Sequence, residues 1–128
     1  NLNIGSRIEF TGPVTPAQKN NLIGNALFVC MPSRYEGWGI VAVEASAASK
    51  AVIGTNIPGL ADAIRPNETG LLIPSENPEA LADAMKQLLA DAPLRKRLGE
   101  AGRTWAERFT WDRIAKDQER VYLEVANA

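Results

Sequence analysis

The sequence predicts an α/β fold: a Rossmann-like, partial doubly wound parallel sheet of about four strands, followed by C-terminal helices. Short apolar runs alternate with helical segments, which implies right-handed crossovers. The runs LFVCM and AVIG are polar on neither face, as strands of a parallel sheet covered on both sides are. With 128 residues, 45% of them hydrophobic and 23% charged, the chain has the composition of one globular unit with a real core.

In chain order, RIEFTG reads as a short strand ended by Gly12 and Pro13. TPAQKNNLIGNA reads as a helix with Thr15 as its cap and Pro16 in its first turn. LFVCM is the second strand. AVIG is the third, followed by the turn TNIPG, a short helix around LADAI, and a fourth strand in TGLLIP. Asn77 as cap and Pro78 in first position then open a helix whose apolar face is Leu81, Met85, Leu88 and Leu89. Asp91, Ala92 and Pro93 break it, LRKRLGEAGRTWAERF supplies one or two more helices, and Thr110 caps a last one. That helix carries Trp111, Ile114, Val121, Tyr122 and Val125 at helical spacing, which reads as core or domain packing rather than a ligand site.

Composition excludes several functions. Lys and Arg number 14 against 15 Asp and Glu, so the net charge of −1 gives no electrostatic reason to bind nucleic acid or an anionic membrane. An anionic ligand must be held locally. The single cysteine, Cys30, has no partner for an internal disulfide and reads as a buried free thiol, which fits a reducing compartment. No apolar run approaches the roughly 20 residues that span a bilayer, and the first residues do not look like a signal peptide. The chain begins at Asn1 with a strand already in progress, so it is expected to be a segment of a longer protein. There is no histidine, hence no imidazole base.

The stretch SRYEGWGIVAVEAS holds two carboxylates, Glu36 and Glu44, in otherwise apolar or small surroundings. MPS ends the second strand, so RYEGWG is a strand-to-helix loop in which two glycines let backbone approach a ligand. The helix starts near Gly39, and its first free N–H groups form an anion site. IVAV alternates β-branched residues as a strand would; EASAAS continues it in helix-tolerant residues and favours helix. Glu44 on so apolar a helix is costly to bury without hydrogen-bond partners, and a ligand hydroxyl is one such partner. Alternatively, Glu44 marks the one solvated edge and Glu36 is an ordinary loop acid. Both glycines, both acids and a helix N-terminus together favour function.

The block MPSRYEGWGIVAVEASAASKAVIGTNIPGLADAI resembles the signature of the retaining GT-B glycosyltransferases, glycosyltransferase family 4, which carry two glutamates with seven residues between them. IEFTGPV, NETGLLIPSENPEALADAM and the closing helices resemble the flanking segments, so the likeness spans nearly the whole chain. It implies that residues 1–128 are part of the C-terminal, nucleotide-sugar-binding domain, with its first strands and the N-terminal acceptor domain absent. By the resemblance, Glu36 lies beside the donor sugar as the catalytic carboxylate. Backbone N–H groups of Gly37, Trp38, Gly39 and Ile40 face the diphosphate. Glu44 accepts from the ribose hydroxyls, Val14 holds the base edge through its backbone, and Lys19 lies near the nucleoside. If helical throughout, eight steps span roughly 12 Å, of the order of a sugar-to-ribose distance.

The resemblance further implies a saccharide or lipid-linked acceptor, reached through the missing domain, and a cytoplasmic location, peripheral at a membrane where that domain docks. It implies no cofactor and no metal, and the sequence holds no D-x-D. The pattern departs from the family at Pro58, Gly59 and Asp62, and the family's diphosphate-clamping Arg and Lys are absent; Arg34 is a weak substitute. A catalytically silent nucleotide-binding or interaction module is the alternative, and a nucleotide-sugar epimerase or phosphorylase is disfavoured. With RIEF as third and LFVCM as fourth strand of order 3-2-1-4-5-6, the segment is expected either to pair these two directly or to self-associate through the exposed edge, and to bind donor weakly.

Overall fold

The computed structural model describes residues 4–127. A single 3₁₀ turn, Gly5–Arg7, precedes α1 (Pro16–Asn25), β1 (Phe28–Met31), α2 (Ile40–Ala47), β2 (Ala51–Thr55), α3 (Leu60–Ala63) and β3 (Gly70–Ile73). Three longer helices follow: α4 (Pro78–Ala90), α5 (Ala92–Ala106) and α6 (Trp111–Ala126). The strands form one parallel sheet in the order β1-β2-β3, with Phe28 opposite Ala51 and Val52 opposite Gly70. The α/β class and the parallel sheet are as the sequence predicts; among the described residues the sheet has three strands, against about four expected.

The missing strand is RIEF. Residues 8–10 adopt no regular structure, and Ile8 and Phe10 are exposed, Phe10 at 93%. A strand needs a ladder partner to persist, and RIEF pairs with nothing among the described residues, LFVCM included. One edge of β1 therefore stays open, and all four of its residues are only half-buried.

Local chemistry sets most boundaries. Thr15 and Gln18 make a reciprocal capping box, the Gln18 N–H donating to Thr15 Oγ1 at 3.3 Å and the Thr15 N–H to Gln18 Oε1 at 2.9 Å. Asn77 Oδ1 accepts from the Ala80 N–H at 2.9 Å to start α4. Asp91 ends α4 and caps α5 through Leu94 N–H at 2.8 Å, so the expected break is one residue long, and Pro93 lies inside the first turn of α5.

Two apolar layers cover the sheet. On one face Val52 packs with Ile23 of α1, Ala42 and Ala45 of α2, and Leu60 and Ala63 of α3. On the other, Ala51, Ile53, Leu71 and Ile73 pack with Ala84 and Leu88 of α4 and Leu98 of α5. Every residue of β2 is buried, which is why its sequence is continuously apolar. The face that α4 buries is narrower than its periodicity predicts: Leu88 is fully buried and Leu81 half-buried, whereas Met85 and Leu89 are exposed.

Helix α5 runs antiparallel along α2. A Cβ on Gly99 would meet the Ser49 carbonyl, and one on Gly102 would lie 3.2 Å from Ser46 Oγ, so glycine allows near backbone contact there. Of the two packing readings of the α6 stripe, core or domain, the first does not hold among the described residues. Trp111, Ile114, Val121, Tyr122 and Val125 are all exposed and α6 buries no residue, so the stripe is no part of this chain's core.

Candidate functional site

All three parallel strands end on the same side, and the loop leaving β1 carries Glu36, Gly37, Trp38 and Gly39. The loop from Pro32 to Gly39 joins β1 to α2. It is held at two points. Thr55 Oγ1 at the end of β2 donates to the Ser33 carbonyl at 2.5 Å. Further along, the loop rests on the start of α3: a Cβ on Gly59, whose φ is +86°, would lie 2.5 Å from the Glu36 carbonyl oxygen and 2.9 Å from that of Gly37. Gly39, with φ 70° and ψ 42°, is the left-handed residue that turns the chain into α2, and its Cβ would clash with Leu60 at 2.9 Å.

This turn leaves the N-terminus of α2 open. The first intrahelical bonds run from the Ala42 and Val43 N–H groups to the Gly39 carbonyl, at 2.9 and 3.2 Å. Among the described residues, the N–H groups of Gly37, Trp38, Gly39, Ile40 and Val41 donate to no protein acceptor. Aligned peptide dipoles place roughly half a positive charge at such an end, so the site is disposed to bind an anion without a basic side chain. Ile40, the first helical residue, is exposed.

The sequence-predicted residues are partly brought together. Glu36 and Gly37 line one cleft of about 500 Å³ with Arg34, Tyr35, Ile57 and Pro58. Glu44 faces α1 instead: Lys19 Nζ donates to its Oε1 at 2.6 Å, both side chains being about two-thirds buried. Its other oxygen, Oε2, is buried and has no hydrogen-bond partner. Val14 lines a separate cleft of about 280 Å³ with Glu9, Thr11, Gln18, Asn21 and Leu22. The structure thus joins Lys19 to Glu44 and sets Glu36 and Gly37 in one cleft, whose lining does not include Val14. Asp62 is exposed on α3.

The Trp38 indole meets Phe109 edge to face at 4.8 Å, and Phe109 meets Trp105 in the same manner at 5.1 Å. Trp105 Nε1 donates to the Ala63 carbonyl at 2.9 Å, and the Arg65 guanidinium lies 4.0 Å from the Trp105 ring centre. Sequence reasoning missed this anchor; the signal was the spacing of Trp105 and Phe109, four residues apart. It also missed Glu76, which pairs with Arg34 at 3.0 Å across a second cleft of about 390 Å³ that includes Thr55 and Asn77. Both side chains of that pair are mostly exposed, so it is a weak tether.

Cys30 lies on β1, where burial raises its thiol pKa and holds it in the unreactive form. Among the described residues no three carboxylate or thiol groups gather as metal ligands would, and no helix is long and apolar enough to cross a membrane.

Comparison with known proteins bears on the family and the fold. Residues 1–105 match the family model described as glycosyl transferases group 1. The chain is 34% identical over 122 residues to an uncharacterized glycosyltransferase of Methanocaldococcus jannaschii, covering 95% of this chain and 35% of that protein. It is 37% identical over 125 residues to the D-inositol 3-phosphate glycosyltransferase of Corynebacterium diphtheriae, covering 98% and 29%. Among solved structures, the sucrose-phosphate synthase of Thermosynechococcus elongatus superposes with a TM-score of 0.89 at 34% identity, over 98% of this chain and 32% of that one. The chain spans about a third of the length of the curated relatives it matches. The family match over residues 1–105 places the chain in the group 1 glycosyltransferases, and the superposition gives it their GT-B-type α/β layer.

Proposed function

We propose that residues 1–128 form the donor-binding part, within the C-terminal domain, of a retaining glycosyltransferase of family 4. The enzyme moves a sugar from a nucleoside-diphosphate sugar to a saccharide or lipid-linked acceptor. The observation that carries this reading is the unpaired run of N–H groups from Gly37 to Val41, with Glu36 beside it and a partnerless Glu44 oxygen on the same helix.

In this reading the bond between the anomeric carbon and the diphosphate breaks with its electron pair leaving on the phosphate oxygen. The N–H groups of Gly37, Trp38, Gly39 and Ile40 meet the growing negative charge. Such preorganised donors are usually a large catalytic term. Glu36 hydrogen-bonds the sugar hydroxyls and faces the positive charge that develops on the ring. Glu44 accepts from a ribose hydroxyl. Val14 meets the base through its backbone. The diphosphate is assigned to backbone donors rather than to a metal, and no cofactor is needed.

The acceptor reaches the site through a domain outside this chain, and the reaction takes place in the cytoplasm, at a membrane face if the acceptor is lipid-linked. Taken alone, the chain presents the open edge of β1 and is expected to self-associate through it.

The test uses the intact protein. UDP, GDP and ADP are titrated calorimetrically, the corresponding nucleotide sugars are assayed for transfer, and the anomeric configuration of the product is read by NMR. Saturable binding and transfer with retention are expected. Nucleotide binding with no transfer from any donor would instead make the chain a silent binding module.

A further inference from the structure

Glu44 and Lys19 come from different helices, 25 positions apart in sequence, and meet in one short, two-thirds-buried contact of 2.6 Å. The two oxygens of Glu44 differ: Oε1 is engaged by the ammonium, while Oε2 is buried and accepts nothing. A buried carboxylate oxygen without a donor is costly. The arrangement therefore makes physical sense where a further donor arrives.

Lys19 is well placed to hold Glu44 still. The first turn of α1 is fixed by Pro16 and by the Thr15–Gln18 capping box, and the Lys19 N–H closes that turn on the Thr15 carbonyl at 2.9 Å. Glu44 in turn sits on α2, whose Ala42 and Ala45 are fully buried against the sheet. Both ends of the contact are thus mounted on rigid elements, which limits the entropy lost in making it.

We infer that Lys19 is a positioning residue: by binding Oε1 it fixes the Glu44 carboxylate, so that Oε2 is the oxygen offered to a single ribose hydroxyl of the donor nucleotide. This rests on the proposed reading in which Glu44 meets the ribose, and it gives Lys19 a task other than contact with the base. Because Oε2 is closed to water here, the hydroxyl reaches it in place of the atoms that now cover it.

The test compares the intact protein with Lys19→Met, Lys19→Arg and Glu44→Gln. The tightest binder of UDP, ADP and GDP is titrated beside its 2′-deoxy and 3′-deoxy counterparts. Wild type should bind one deoxy form about 10-fold or more weakly, as expected for loss of a hydrogen bond to a charged group. Lys19→Met should shrink that ratio several-fold and raise the donor KM at near-constant kcat, while Lys19→Arg should restore it. A wild-type ratio near one, unchanged in Glu44→Gln, would remove the ribose assignment itself. A wild-type ratio lost in Glu44→Gln but kept or enlarged in Lys19→Met would overturn the role of Lys19 and leave that assignment standing. Thermal unfolding of each variant separates these outcomes from loss of fold.

Discussion

Trp38 and Phe109 meet edge to face, ring centroids 4.8 Å apart and planes at 73°, so the loop that opens α2 is pinned to the segment between α5 and α6. The contact ties the Glu36–Gly39 backbone to a side chain some seventy positions later in sequence. Aromatic pairs of this kind contribute about 0.5–1.5 kcal/mol beyond their buried area. Phe109→Ala should therefore lower stability by about 1–3 kcal/mol, since Phe109 also packs on Trp105. It should lower transfer about tenfold in the intact protein, through a less ordered set of N–H donors. Phe109→Tyr should keep both. Denaturant unfolding and kcat/KM check this, and unaltered transfer in Phe109→Ala would show that the loop holds its shape without the anchor.

Gly59 supports the same loop from below. Its φ of +86° is unfavourable for any side chain, and an added Cβ would lie 2.5 Å from the Glu36 carbonyl, an oxygen that cannot retreat without moving the loop. Gly59→Ala should cost roughly 1–3 kcal/mol in strain and weaken nucleoside-diphosphate binding. Calorimetric titration of the intact variant checks the second part. Wild-type affinity would mean that the loop tolerates displacement.

Much of this architecture was legible in the chain. Thr15, Asn77 and Thr110 announced three helix starts because capping is local chemistry, readable within four residues. β2 was legible because burial on both faces leaves only apolar residues. RIEF misled because β propensity describes a pleated, half-buried surface, and only tertiary context shows that none of the described strands pairs with it. The α6 stripe was legible as an apolar face, but periodicity does not report what covers it. Within the site, Glu36 and Glu44 stood out as charges in an apolar stretch. The Lys19–Glu44 pair and the Trp38–Phe109 contact join distant segments, and one sequence gives no measure of that distance.

Asp91 serves two helices at once. It ends α4, its own N–H bonding to the Gln87 carbonyl, and its Oδ1 caps α5 through Leu94 N–H at 2.8 Å. Arg95, in the first turn of α5, also donates to the Leu88 and Leu89 carbonyls at the end of α4. Asp91→Ala should cost about 1 kcal/mol, the usual value of an N-cap, and Asp91→Asn only a fraction of that. Equal losses in both variants, measured by denaturant unfolding, would assign the effect to charge rather than to the cap.

The two glutamates should separate kinetically. Glu36 lines one cleft with Gly37, and in the proposed reading its contacts to the sugar strengthen as positive charge develops. Interactions stronger in the transition state than in the bound ground state appear in kcat. Glu44 lies farther along α2, against Lys19, and a ribose contact there is the same before and during bond breaking, so it appears in donor affinity alone. Glu36→Gln in the intact enzyme should mainly lower kcat, and Glu44→Gln should mainly raise the donor KM and the Kd of the nucleoside diphosphate. Loss of one hydrogen bond to a charged group costs about 1.5–3 kcal/mol, roughly a 10- to 150-fold change. Steady-state kinetics with varied donor, beside calorimetric binding of the nucleoside diphosphate, resolve the two constants. Small and equal effects on both constants in both variants would remove the division of labour between these carboxylates.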